Sequence, residues 1–95
     1  MAVKIFIKRS VPPEKAAILI PLFQQLRTLA MSQPGYISGE TLQRIDPTGE
    51  YIVISTWQSV DNWQQWATSQ ARVQLQNRID AALNEKTEYE MYQYS

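Results

Sequence analysis

"YIVISTW", residues 51–57, is the stretch on which the architecture of this chain turns. Successive side chains of a strand point to opposite faces. Tyr51, Val53 and Trp57 therefore share one face, Ile52 and Ile54 share the other, and only Ser55 and Thr56 are polar. A strand that is apolar on both faces is covered on both faces. The whole chain has 95 residues. That is enough for one domain, residues 1–95, which hides only about 60–65% of the surface its unfolded form exposes.

Upstream, "YISGETLQRI" (36–45) reads as the neighbouring strand, and Asp46, Pro47 and Gly49 supply the turn chemistry of a hairpin. "VKIFIKRSV" (3–11) alternates Val3, Ile5 and Ile7 against Lys4, Phe6 and Lys8, a further strand. Between the two, Pro13 and Glu14 suit a first helical turn. Leu19, Leu22, Phe23, Leu26 and Ala30 then recur at three- and four-residue spacing, one buried helix stripe. Pro21 either kinks this helix or marks where its regular part starts, and Pro34 and Gly35 stop it.

Downstream, Ser59 is placed to cap a helix with Asp61 in its first turn and Trp63 and Trp66 on one face. Ser69 offers a second cap, Leu75, Ile79, Ala82 and Leu83 form the next stripe, and "KTEYEMYQYS" (86–95) reads as a last strand. The order β-α-β-β-α-β predicts a ferredoxin-like α+β domain with an antiparallel sheet and the helices on one face. The second apolar face of 51–57 then needs its own cover. A second copy of the sheet meets that need, so a homodimer with a barrel-like interior is expected.

Composition excludes several functions. Nine Lys and Arg balance nine Asp and Glu, which argues against a generic nucleic-acid binder, since that needs a basic face. No stretch nears the roughly 18 apolar residues of a membrane span. "MAVKIFIKRSV" is no secretory leader, and a cytoplasmic location is expected. Cys and His are both absent, which removes disulfides, thiolate nucleophiles, zinc knuckles and the histidine ligand of haem iron. No metal and no cofactor is expected.

"QPGYISGETL" (33–42) and "YIVISTWQSVDNWQQWATSQAR" (51–72), taken with the element order, resemble the antibiotic biosynthesis monooxygenase family of dimeric α+β barrels over nearly the whole chain. That resemblance implies activities from cofactor-free oxygenation of phenols to haem degradation and isomerisation. Haem-degrading members use a first-strand Asn, a helix Trp and a His ten residues beyond it. Lys8, Trp66 and Gln76 stand there, which argues against haem degradation. Quinone-forming members use a strand Trp, matched by Trp57, with an Asn four residues earlier, where Val53 stands, and a Tyr six residues later, where Trp63 stands. Their helix Arg falls near Asn77 and Arg78.

The function this implies is a cofactor-independent monooxygenase acting on a small electron-rich aromatic of quinol or phenol type. The alternative is a non-catalytic dimer that binds a small apolar aromatic or serves structurally. In the first, Trp57, Trp63 and Trp66 shape a cavity, Arg72 or Lys8 favours a substrate anion, and Tyr36 offers a phenol donor. Each also has a plainer reading. The tryptophans fill core, Arg72 is solvated or paired with a carboxylate, Lys8 faces water, and Tyr36 packs with its hydroxyl at the rim.

Overall fold

The computed structural model describes all 95 residues. Strand β1 (Val3–Ser10) leads through a 3-10 turn at Pro13–Lys15 into helix α1 (Ala16–Met31). Strands β2 (Tyr36–Gln43) and β3 (Glu50–Trp57) form the hairpin, and helices α2 (Val60–Ala67) and α3 (Gln70–Leu83) precede strand β4 (Tyr89–Gln93). The sheet order is β2-β3-β1-β4 and every pairing is antiparallel. This is the ferredoxin-like unit expected from the element order.

Two details differ from the sequence reading. The hairpin strands stop at Gln43 and restart at Glu50, so the connection is longer than the "DPTGE" turn. Pro21 lies inside α1, on an exposed position, without ending the helix. As the second cap at Ser69 indicates, the helical region after β3 is two helices. Ser59 Oγ accepts the Asn62 backbone N–H at 3.2 Å to start α2, and Ser69 Oγ accepts that of Arg72 at 3.3 Å to start α3. α3 ends where Asn84 turns left-handed, φ 58°.

Register divides the sheet into two unlike faces. Val3 faces Trp57, Ile5 faces Ser55, Ile7 faces Val53 and Arg9 faces Tyr51 on the helix side. The residues with no measurable exposure are Ile5, Leu19, Trp57 and Ile79, one each from β1, α1, β3 and α3. That quartet joins sheet to helices. On the other face Phe6 pairs with Ile54, Lys8 with Ile52, and Leu42 with Ile52. No helix covers this side. Leu42 and Tyr92 are about half exposed, and Phe6 meets Tyr92 edge-on at 5.1 Å. No helix in the chain is long and apolar enough to cross a membrane.

Trp57 is the largest of the wholly buried side chains, so its removal leaves the largest void. Trp57→Ala is expected to lose about 3–5 kcal/mol, a large part of the stability a domain of this size has. Urea unfolding followed by circular dichroism checks this, and a loss below ~1 kcal/mol would show that Trp57 is not part of the fold's core.

Candidate functional site

The helix-side face of β3 and the flank of α1 enclose a cavity of about 80 Å³. Its apolar wall is made by Phe23, Tyr36, Val53, Trp57, Trp63 and Trp66; Arg9 and Arg72 are its buried charges, and exposed Arg27 and Glu40 also line it. Backbone geometry sets the aromatic wall. Gly35, at φ +85°, turns the chain out of α1 into β2, and a Cβ there would strike the Asn62 side chain. Gly39 lies under the Tyr36 hydroxyl so closely that any side chain would collide with it. The irregular step in the β2–β3 ladder falls between Tyr36 and Ser38, which lets Tyr36 lean over the strand.

From Tyr36 the rings continue edge-on. Tyr36 meets Trp57 at 5.4 Å, Trp57 meets Trp63 at 5.8 Å, and Trp63 meets Tyr89 at 5.6 Å. T-shaped pairs of this kind add about 0.5–1.5 kcal/mol each beyond area burial. The Trp57 indole N–H donates to Ser55 Oγ at 3.0 Å, so the deepest ring leaves no donor unpaired.

The cationic end is a hydrogen-bonded network. Arg72 is 3% exposed and Arg9 is 6% exposed. Arg72 Nη2 donates to the Tyr89 hydroxyl at 2.7 Å and to Gln76 Oε1 at 3.3 Å, and Nη1 donates to the Ala67 carbonyl at 3.3 Å. Arg9 Nη2 donates to the same Gln76 Oε1, also at 3.3 Å. Gln76 Nε2 passes the network on to Asp80 Oδ1 at 2.9 Å and Thr87 Oγ1 at 2.6 Å. Both guanidinium groups lie over rings: Arg9 over Phe23 at 4.8 Å, Arg72 over Trp63 at 5.1 Å and Tyr89 at 4.9 Å. Arg9 Nε is buried and has no acceptor.

Burial, followed by repulsion from Arg72, lowers the Arg9 pKa from its ordinary value to about 10. Arg9 stays charged at neutral pH. Folding disfavours that charge, by an amount on the order of 3 kcal/mol. Since the unfolded chain holds this proton more tightly, the penalty is fully present below pH 10 and is relieved as pH rises above about 10.

Five of the sequence candidates meet at this cavity: Tyr36, Trp57, Trp63, Trp66 and Arg72. Lys8 does not. It lies on the opposite face of β1, its side chain 70% exposed and 3.9 Å from Glu90. The plainer reading of Arg72 as solvated or carboxylate-paired is overturned by its burial and its neutral acceptors. Arg9, which the sequence reading passed over, takes the inward position one step along the same face from Ile7. Val53, at the position where quinone-forming relatives carry Asn, lines the cavity as an apolar wall.

These features define a small ferredoxin-like domain with an aromatic-lined cavity that carries two buried cations. The chain belongs to the antibiotic biosynthesis monooxygenase family, whose pattern it matches over residues 2–78. Among solved structures it is similar to a conserved protein from Methanosarcina mazei Go1, at 19% identity and TM-score 0.90, covering 100% of this chain and 94% of that one. An altered form of SnoaB, a cofactor-independent oxygenase from Streptomyces nogalater, matches at 17% identity and TM-score 0.86, covering 98% of this chain and 92% of that one. Rv0793 from Mycobacterium tuberculosis matches at 14% identity and TM-score 0.88, covering 100% of this chain and 96% of that one. Identities this low speak for the fold alone. Comparison with curated proteins gives no match.

A buried cation without a carboxylate partner weakens a fold. Arg9→Met is therefore expected to stabilise the protein at pH 7, by ~1–4 kcal/mol, although it forfeits the Gln76 hydrogen bond. Paired urea titrations of the two proteins decide it, and a lower midpoint for the variant would mean that Arg9 holds the fold together.

Proposed function

We propose that the protein is a cofactor-independent monooxygenase that oxidises a small electron-rich phenol or quinol, working as a homodimer. The observation that carries this reading is Arg72, buried at a cavity whose other walls are Trp57, Trp63 and Trp66. Family membership supports it, as does the likeness in fold to a protein described as a cofactor-independent oxygenase.

The chemistry needs little from the protein. An ionised phenol is electron-rich enough to reduce oxygen. The ring loses its hydroxyl proton and one ring hydrogen, one oxygen atom becomes a new carbonyl, and the other leaves as water. Arg72 favours the phenolate through charge. Tyr36 and the tryptophans hold the ring and keep water from the reacting carbon. Where quinone-forming relatives carry a polar Asn, Val53 stands, and the group that favours the phenolate comes instead from α3 as Arg72.

The cavity volume favours a second reading. About 80 Å³ is roughly half of the ~150 Å³ that accommodates benzene in an engineered cavity. A single ring enters only with part of it in the mouth, and a fused bicyclic does not enter without movement. A non-catalytic dimer that grips one edge of an apolar molecule has the same walls. The homodimer rests in both readings on the uncovered face that carries Phe6, Leu42, Ile52, Ile54 and Tyr92.

Oxygen uptake separates the two. With a monocyclic hydroquinone the purified protein should consume oxygen faster than buffer does, unaffected by a metal chelator, and Arg72→Met should lower the catalysed rate about 10²-fold. No uptake above buffer with any of a panel of monocyclic phenols would leave the binding role in its place. Light scattering should give twice the 11.0 kDa chain mass, and Ile54→Lys should shift it to the monomer; a folded wild-type monomer would overturn the dimer.

A further inference from the structure

Arg9 has no part in the reaction just described, which needs one cation. Yet the structure carries this second guanidinium into the same cavity. No carboxylate oxygen lies within 4.0 Å of either Arg9 or Arg72, since the ion pairs of the chain are Lys8–Glu90 and Arg44–Glu50. Asp80 reaches the pair only through Gln76. Two full positive charges thus share one neutral amide oxygen, each at 3.3 Å. Charged donors that meet a true anion close to about 2.7–2.9 Å.

The unused donor is the second observation. Arg9 is 6% exposed and its Nε finds no acceptor. More than about nine in ten buried polar groups in native proteins have a partner, so an orphan on a residue that lines the cavity points to an acceptor from outside the chain. Nε and Nη2 form one edge of a guanidinium, the side-on fork that takes two oxygens of one planar anion. Here Nη2 has only the long contact to Gln76, and Nε has nothing. A phenolate presents a single oxygen to such a fork. A carboxylate presents two, with about four acceptor sites between them, enough for Arg9 and for Arg72 beside it. The chain as a whole is neutral, so the buried pair Arg9 and Arg72 is not a by-product of a basic protein; the one acidic residue of the lining, Glu40, is exposed and pairs with Ile54 of the outer face.

Building on the reading of this cavity as an aromatic site, we propose that its ligand is a hydroxylated aromatic carboxylate of one ring. The carboxylate is held by Arg9 and Arg72, and the ring lies against Trp57 and Trp63. Arg9 is then the specificity residue, separating aromatic acids from neutral phenols of the same size. The enclosed volume agrees with this division of space, since it admits the carboxylate and the adjoining ring edge and leaves the rest of the ring in the mouth between α1 and β2.

Calorimetric titration at pH 7 with 2,5-dihydroxybenzoate, hydroquinone and 2,5-dihydroxybenzamide tests this on the wild-type protein, so that no variant need fold for the answer. The carboxylate should bind at least about tenfold tighter than either neutral compound, the size of one charge-assisted hydrogen bond. In Arg9→Met the preference should shrink to about threefold or less, and Arg9→Lys, a cation without the fork, should recover part of it. Equal or tighter binding of a neutral compound, or no binding of the carboxylate, overturns the proposal. Oxygen uptake is recorded with the same three compounds. A carboxylate preference without uptake leaves the ligand class standing and overturns the oxygenase. Uptake with hydroquinone in the absence of any preference overturns the carboxylate alone.

Discussion

Arg9 from β1 and Arg72 from α3 bring two like charges into one buried corner of a 95-residue domain, and the arrangement around them follows from that. Unpaired buried charge is heavily penalised. The protein meets the penalty with ring faces and neutral acceptors. Phe23, Trp63 and Tyr89 turn their faces to the guanidinium groups, each such contact worth about 0.5–2 kcal/mol. Gln76 gives its oxygen to both cations and its nitrogen to Asp80 and Thr87. Because the shared acceptor sits on α3 and one donor on β1, the same network fixes the helix against the sheet. It also explains why Trp63 is neither simply filler nor simply wall: one face holds Arg72 while its ring meets Trp57 edge-on.

Strand β3 carries two different jobs on its two faces. Towards the helices, Val53, Ser55 and Trp57 alternate large, small and large, and the gap beside Ser55 and Gly39 adjoins the cavity. Away from them, Ile52 and Ile54 belong to an apolar face with Phe6 and Leu42 that the chain leaves uncovered. A domain this small hides a modest share of its surface, so the two needs are linked. Trp57, Trp63 and Trp66 serve both needs, since they belong to the buried core and also line the cavity, while the outer apolar face gains nothing from the chain's own helices.

Much of this was legible from alternation and spacing. The element order, both serine caps, the α1 stripe of Leu19, Leu22 and Leu26, and the two apolar faces of 51–57 stand in the structure as the pattern indicates. The misreadings share one cause. Arg9 has the same parity as Val3, Ile5 and Ile7, and Arg72 falls on the same helical face as Leu75, Gln76 and Ile79. Periodicity alone pointed both of them inward. Charge argued the other way, because a guanidinium is almost never fully buried unless it is paired. A sequence shows neither the ring faces nor the shared amide that make burial tolerable here, since these partners come from β4, α1 and α2 as well as α3. Lys8 was weighed as the inward cation of β1, yet its parity with Lys4 and Phe6 already placed it outside.

Magnitudes bear on what two cations are for. An unperturbed phenol ionises near pH 10, so holding it as phenolate at pH 7 takes roughly 4 kcal/mol. Apolar walls such as Val53 and Trp57 work against ionisation, because a dry surrounding disfavours the charged form. One guanidinium about 4 Å from the oxygen returns about 4 kcal/mol at the effective dielectric of a partly buried site. Arg72 alone is therefore sufficient in scale to offset the intrinsic requirement, and the walls need only a little more. Arg9 at the same cavity exceeds what a phenolate asks. Its charge is disfavoured by burial and by Arg72 itself, so in the empty site it destabilises the fold that carries it. A ligand with a second negative group removes both defects at once: it offsets the repulsion between the two cations and gives the unpaired Nε an acceptor. A neutral ring with a single ionisable hydroxyl does only the first.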